Sequence, residues 1–346
     1  MLVESRSFSS QPDYDIDRTP VGGGRPIEVG LVNNMPDAAL KDTERQFRAL
    51  LELASGAGLS VRLHLLSLAS VVRGAEARAL MRGRYVEVGE EPGQLARQLS
   101  GLSLDALIVT GAEPKAKALR DESYWPQFVR LMDWAERHTV STICSCLAAH
   151  AAALHFDRIE RRPLGFKLSG VFESWTEGDH ALLRDLPARV ATPHSRYNEL
   201  CEGDLRRAGF SILTNSRDAG VDMFAKTRGK CTFLFFQGHP EYQPRTLLRE
   251  YRRDVLRYLN GERADYPLTP ANYFEPSVCS RLAQFETRAK ARRRPDLAAA
   301  LPLPGDENTG GATAWAATAA LVYRNWLRHV AQAKQAVEPL ETRRAI

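Results

Sequence analysis

The sequence predicts an α/β protein, an open and mostly parallel sheet flanked by helices. Short apolar runs alternate with stretches of helical periodicity, which is the pattern of strand and covering helix in such sheets. Two residues capable of chemistry, Cys146 and His239, fall directly after apolar runs, where open α/β sheets collect function. The third observation is size: 346 residues with 44% hydrophobic content suffice for one large domain, or two small ones, with a buried core.

Residues 26–34 (PIEVGLVNN) read as a buried strand and 42–54 (DTERQFRALLELA) as the helix that follows. Residues 61–66 (VRLHLL) alternate as a second strand, and 104–110 (LDALIVT) form a third that ends at Gly111. The helix at 124–138 carries Trp125, Phe128, Leu131, Met132 and Ala135 on one face, a core-packing stripe. Residues 139–145 (TVSTICS) are β-branched and apolar enough for a central strand, with Cys146 at its carboxyl end and the helix-prone 147–154 (LAAHAAAL) beyond. Residues 230–237 (KCTFLFFQ) make another strand, directly followed by Gly238-His239-Pro240-Glu241. A helix at 246–259, Pro- and Gly-rich connectors at 267–276 and 301–311, and a long helix at 314–337 containing Trp315 and Trp326 complete the chain. The expected organisation is a flexible tail over residues 1–25, a single domain over 26–337 and a C-terminal tail over 338–346.

The net charge of +5 is modest, and the basic residues are spread rather than clustered, which argues against a nucleic-acid partner and suits a small polyanion. The five cysteines are odd in number and have no framework spacing, so a reducing cytoplasm is expected. Cys144-Ser145-Cys146 lacks a second ligand pair, and no metal is expected. Residues 1–25 are polar without an apolar core, and no apolar run is long enough to span a bilayer, so neither a signal peptide nor a membrane partner is expected.

Cys146, His239 and Glu241 supply a sulfur nucleophile, a base and a carboxylate to orient the base. A strand-to-helix junction exposes the thiol, and a helix N-terminus favours the thiolate form of a cysteine. A lone cysteine is usually an inert core residue. Two reactive residues at separate strand ends, in matching contexts, make a shared site the better reading.

Around these residues the chain resembles the MetA-type homoserine O-acyltransferases. The matching pieces include Asn34-Met35-Pro36, Ile108-Val109-Thr110-Gly111-Ala112, Tyr124-Trp125-Pro126-Gln127, Lys167-Leu168-Ser169-Gly170-Val171-Phe172-Glu173, Pro193-His194-Ser195-Arg196-Tyr197, Gly238-His239-Pro240-Glu241-Tyr242, Asn272-Tyr273-Phe274 and Asn325-Trp326-Leu327. They keep the family's order over residues 26–330. The resemblance implies a three-layer, flavodoxin-like sandwich of the class I glutamine amidotransferase type. It implies a cytoplasmic homodimer that transfers an acyl group, from acyl-CoA as co-substrate and with no bound cofactor, to L-homoserine in methionine biosynthesis. By matching position Cys146 is the acyl-thioester nucleophile, His239 the proton acceptor and Glu241 its partner, while Lys167, Ser195 and Arg253 hold substrate. Arg253 suits the acceptor carboxylate, and Glu250, three residues earlier on the same helix face, its ammonium. The backbone N–H of Leu147, with one from Gly111 or Ala112, would stabilise the oxyanion.

Four positions depart from the family pattern. Leu147 replaces a tryptophan and His150 a glutamine, both beside the sulfur. A longer loop after Pro36 leaves Lys41 as the nearest counterpart of a family lysine. Lys115 occupies the position where the family has glycine with succinyl donors and glutamate with acetyl donors. A cation there would pair with a succinyl carboxylate, favouring succinyl over acetyl, although Lys115 could equally face solvent or a coenzyme A phosphate. Homoserine and serine differ by one methylene, and both stay open as acceptors. A glutamine-hydrolysing amidotransferase and a non-catalytic thiol sensor are the rival readings of the same residues.

Overall fold

The computed structural model describes residues 25–342 except 57, 92 and 305–314, without the side chains of 336–342. The expected N-terminal tail, apart from Arg25, therefore lies outside the described residues, as do residues 305–311 of the second connector and 343–346 of the C-terminal tail.

Twelve strands appear in chain order among the described residues: β1 (Ile27–Val32), β2 (Val61–Leu68), β3 (Tyr85–Val88), β4 (Ala106–Val109), β5 (Ser141–Ser145), β6 (Arg162–Thr176), β7 (Arg189–Glu199), β8 (Ser211–Ile212), β9 (Thr214–Ser216), β10 (Gly220–Val221), β11 (Met223–Arg228) and β12 (Cys231–Phe236). The helices are α1 (Asp37–Ser55), α2 (Ala75–Met81), α3 (Gln94–Ser100), α4 (Trp125–His138), α5 (Leu147–Asp157), α6 (Glu202–Arg207), α7 (Thr246–Leu259), α8 (Pro276–Ala291) and α9 (Ala316–Thr342).

The large sheet has the order β3-β2-β1-β4-β5-β12-β11-β8. Its first six strands are parallel, and β11 and β8 add an antiparallel edge. β4 (ALIV) and β5 (STICS) are buried along their whole length, as strands covered on both faces should be. One face packs Phe128, Leu131 and Met132 of α4 and the alanines of α5. The other packs Phe47, Leu50 and Leu51 of α1 with Tyr323, Trp326 and Leu327 of α9. Trp326 is fully buried, and its indole N–H donates to Ser141 Oγ at 2.9 Å, tying α9 to β5. No helix among the described residues is long and apolar enough to cross a membrane.

A second, four-stranded antiparallel sheet, β10-β9-β6-β7, stands beside the carboxyl edge of the first, carrying Lys167 and Ser195. Pro163, Gly165 and Gly170 interrupt the alternation that would mark β6 in the sequence. Gly170 has φ 150°, and a Cβ there would collide with the Ala271 backbone. That close approach lets the 267–276 connector add a bridge to β6, with Ala271 N–H donating to Ser169 O at 2.9 Å.

The boundaries depart from the sequence reading in particular places. α1 begins at Asp37, directly after Pro36, rather than at residue 42. Trp315 precedes α9 and donates to the Tyr242 carbonyl at 2.8 Å, and α9 runs to Thr342, beyond residue 337.

Candidate active site

Three neighbouring strands deliver the reactive residues to one edge. β4 pairs with β5 through Val109 and Cys144, and β5 pairs with β12 through Ser145 and Phe236. Thr110-Gly111, Cys146 and Gly238-His239 therefore emerge side by side where those strands end.

Cys146 has φ 51° and ψ −110°, a conformation that a residue with a Cβ rarely adopts. Such a residue costs about 1–3 kcal/mol and persists only when its surroundings over-determine it. Its N–H donates to Phe236 O at 2.8 Å and its carbonyl accepts from Ala149 N at 2.9 Å, so β12 and α5 both hold the turn. The bend lifts the side chain out of the sheet at the start of α5. Cys144, two residues earlier, instead points into the core toward Met132, and burial pushes its thiol pKa well up.

His239 is fixed by its own N–H, which donates to Pro193 O at 2.7 Å, and by Tyr242, whose ring stacks on the imidazole at 4.3 Å. Its Nδ1 lies 2.8 Å from Glu241 Oε1. With Nδ1–H donating to that carboxylate, Nε2 is left to face Cys146, whose charge acts on the ring. Burial alone would lower the His239 pKa, but the charges of Cys146 and Glu241 and the Glu241 hydrogen bond outweigh it and hold the pKa well above the ordinary histidine value.

Gly111 and Leu147 run against one another: a Cβ on Gly111 would sit 2.6 Å from the Leu147 Cβ and 3.3 Å from its N. The N–H groups of Gly111, Ala112 and Leu147 have no acceptor among the described residues. They cluster beside Cys146, where the oxyanion of a tetrahedral adduct would form.

The opposite wall is built from β6, β7 and α7. Lys167 Nζ lies 3.1 Å from Glu250 Oε2 and 2.9 Å from Asp254 Oδ2. Ser195 Oγ also donates to Glu250 Oε2, and the Tyr242 hydroxyl donates to Glu250 Oε1 at 2.6 Å. Burial would raise the Glu250 pKa; Lys167, Ser195, Tyr242 and His239 bring it down to about 2. Burial opposes the Lys167 charge too, and the two carboxylates overcome it and raise its pKa. Arg253, half exposed, spends Nε and Nη2 on Asp254 Oδ1 at 3.1 and 3.0 Å, leaving its remaining edge toward the cleft.

Between the walls lies a cleft of about 380 Å³ containing Cys146, His239, Lys167, Ser195, Glu250 and Arg253 together. Lys115 and Lys41 are not part of its lining; both are exposed. The Lys115 N–H donates to Glu122 Oε1 at 2.7 Å, which turns this loop so that Glu113 and Pro114 border the cleft instead. His150 lines the cleft floor, buried, with Nε2–H donating to Gln237 Oε1 at 3.0 Å. That oxygen also accepts from Leu200 N, which fixes the amide orientation and so the imidazole tautomer. Burial, helped by Arg196 and Arg161, pushes the His150 pKa down to about 3, so the ring is neutral and does not compete with His239 for a proton.

Two cleft groups carry little signal in the sequence. Tyr242 both stacks on His239 and holds Glu250. Arg196 is buried on β7, bound to the carbonyls of Asn198 and Ala219, with its charge acting on Cys146. Each lies inside a family-like motif, but only the fold shows what it touches. Among the described residues no cluster of His, Cys, Asp and Glu could hold a metal ion.

Comparison with known proteins shows the family of this chain. A family model described as homoserine O-succinyltransferase matches residues 16–336. A homoserine O-succinyltransferase from Bradyrhizobium japonicum is 47% identical over 321 residues, covering 90% of this chain and 94% of that protein. One from Rhodopseudomonas palustris is 48% identical over 303 residues, 88% of each chain. Likeness to solved structures is weak: a glutamine amidotransferase from Thermotoga maritima aligns over 89% of this chain and 99% of its own, at 12% identity and TM-score 0.45. One from Methylobacillus flagellatus covers 88% of this chain and 94% of its own, at 14% identity and TM-score 0.47. Those values are too low to carry a functional argument. The two close relatives and the family model suffice, and the chain belongs to the homoserine O-succinyltransferase family.

Proposed function

We propose that this enzyme moves a succinyl group from succinyl-CoA to the side-chain hydroxyl of L-homoserine, through a thioester on Cys146, as a step of methionine biosynthesis. The observation that carries the reading is Cys146 sharing one cleft with the hydrogen-bonded pair His239 and Glu241, beside the unpaired N–H groups of Gly111, Ala112 and Leu147.

The Cys146 thiolate attacks the thioester carbonyl, and the Leu147 and Ala112 N–H groups stabilise the oxyanion. Collapse breaks the bond to the coenzyme A sulfur, which takes the proton held by His239. Now neutral, His239 removes the proton of the acceptor hydroxyl as its oxygen attacks the acyl-Cys146 carbonyl. The second collapse releases O-succinylhomoserine and restores the thiolate and imidazolium. Glu241 keeps Nδ1 protonated throughout, so Nε2 carries every transfer. On the other wall the free edge of Arg253 takes the acceptor carboxylate and Glu250 its ammonium, with Lys167 and Ser195 holding Glu250 in place. A cytoplasmic homodimer completes the reading.

Initial velocities with succinyl-CoA and L-homoserine varied together test it. Parallel double-reciprocal lines are the expected ping-pong signature. L-Serine, one methylene shorter, should react about 10-fold or more slowly. Ammonia release from glutamine, dependent on Cys146 and unaccompanied by succinyl transfer, would replace this reading with an amidotransferase-like hydrolase.

A further inference from the structure

The cleft contains a cation that the chemistry above does not use. Arg161 lies between α5 and β6, half buried, and lines the same cleft as Cys146. Its charge acts on His150 in α5 and on Tyr124 just ahead of α4. Glu122, close to that same tyrosine, holds the Lys115 and Ala116 N–H groups. Arg161 and the loop after β4, with its Gly111 and Ala112 donors, line the same cleft.

Three other cleft cations are already engaged. Lys167 is bound by Glu250 and Asp254, Arg253 by Asp254, and Arg196 by backbone carbonyls. Arg161 has no ion-pair or hydrogen-bond partner among the described residues. Arg257, also without one, is exposed on α7 and borders two outer hollows as well as the cleft. A half-buried guanidinium lacking an anion is suited to a ligand carboxylate, which it meets with two parallel N–H bonds.

We propose that Arg161 binds the distal carboxylate of the succinyl group while Cys146 attacks its thioester carbonyl, and so makes the enzyme select succinyl over uncharged acyl donors. This rests on the acyl-transfer reading above. It assigns to Arg161 the part that the sequence suggested for Lys115, whose side chain lies outside the cleft lining. His150, kept neutral, adds no charge of its own to the cleft.

The test compares succinyl-CoA with butyryl-CoA, which has the same chain length and a methyl in place of the carboxylate. kcat/KM for each donor, with L-homoserine as acceptor, is measured in the wild type, Arg161→Gln and Arg161→Lys. Arg161→Gln should lose about 30-fold or more on succinyl-CoA, as expected when one partner of a desolvated charge pair is removed, and stay within about 3-fold on butyryl-CoA. Arg161→Lys should fall between, keeping the charge but not the fork. Equal losses on both donors, or an unchanged preference for succinyl-CoA in Arg161→Gln, would overturn the assignment while leaving acyl transfer intact. A wild-type enzyme that succinylates no homoserine would instead remove the reading beneath it, and this proposal with it.

Discussion

Along the edge of the large sheet, the proposed reactive residues are placed by backbone; on the smaller sheet and α7, the proposed binding residues are placed by one another's charges. Cys146 sits in a turn held through its own N–H and carbonyl, and His239 is anchored by its N–H to Pro193. Glu250, by contrast, is held through its side chain by Lys167, Ser195 and Tyr242, which come from three separate stretches of chain. Geometry fixed by backbone is insensitive to pH and to loss of a neighbouring side chain. A wall fixed by ion pairs is sensitive to both, and it is adjustable by substrate, which brings charges of its own.

This contrast sets the order of expected effects. Cys146→Ala should reduce succinyl transfer by about 10⁴-fold or more, with the melting temperature unchanged, because the turn does not depend on the thiol. A large loss of stability would mean that the side chain, not the backbone, holds the turn. Glu241→Gln should lower kcat by about 10²- to 10⁴-fold, since an amide no longer fixes the His239 tautomer or stabilises its cation; a KM effect alone would contradict the orienting role. Lys167→Met should act mainly on stability and on KM for homoserine. It leaves Glu250 buried without its cation, while Asp254 keeps Arg253, and an unpaired buried charge costs about 3–5 kcal/mol in such sites; chemical denaturation measures it.

Acid reveals the same wall more gently. Glu250 has a folded pKa of about 2, below the ordinary carboxylate value. The unfolded chain therefore binds the proton more readily, and the stability from this group is present above about pH 4.3 and lost as pH falls toward 2. The contribution is about 3 kcal/mol, and Glu250→Gln should flatten that segment of the pH–stability curve. A curve unchanged by the substitution would show that Glu250 is not the paired group.

The contrast also explains what was legible in the sequence. β1, β4, β5 and β12 are short apolar runs, and the residues that end them reach one edge by topology alone, so Cys146, His239 and Glu241 could be read together. The second sheet was not legible from pattern, because Pro163, Gly165 and Gly170 break the alternation of β6 and the strand meets its neighbours through a bulge. Lys167 and Ser195 are marked in the sequence only by family-like motifs. The signal for α8 is present, with Val278, Leu282, Phe285 and Ala289 at helical spacing, but it lies in a strongly charged stretch. Arg161 belongs to no motif, and its place in the cleft depends on how α5 and β6 meet in space.

The central claim is a succinyl thioester on Cys146, and peptide-mapping mass spectrometry after brief mixing with succinyl-CoA, without acceptor, tests it most directly. The account predicts a succinyl adduct on the peptide carrying Cys146, absent in Cys146→Ala and discharged when L-homoserine is added. An unmodified Cys146 in an enzyme that still makes O-succinylhomoserine would contradict it.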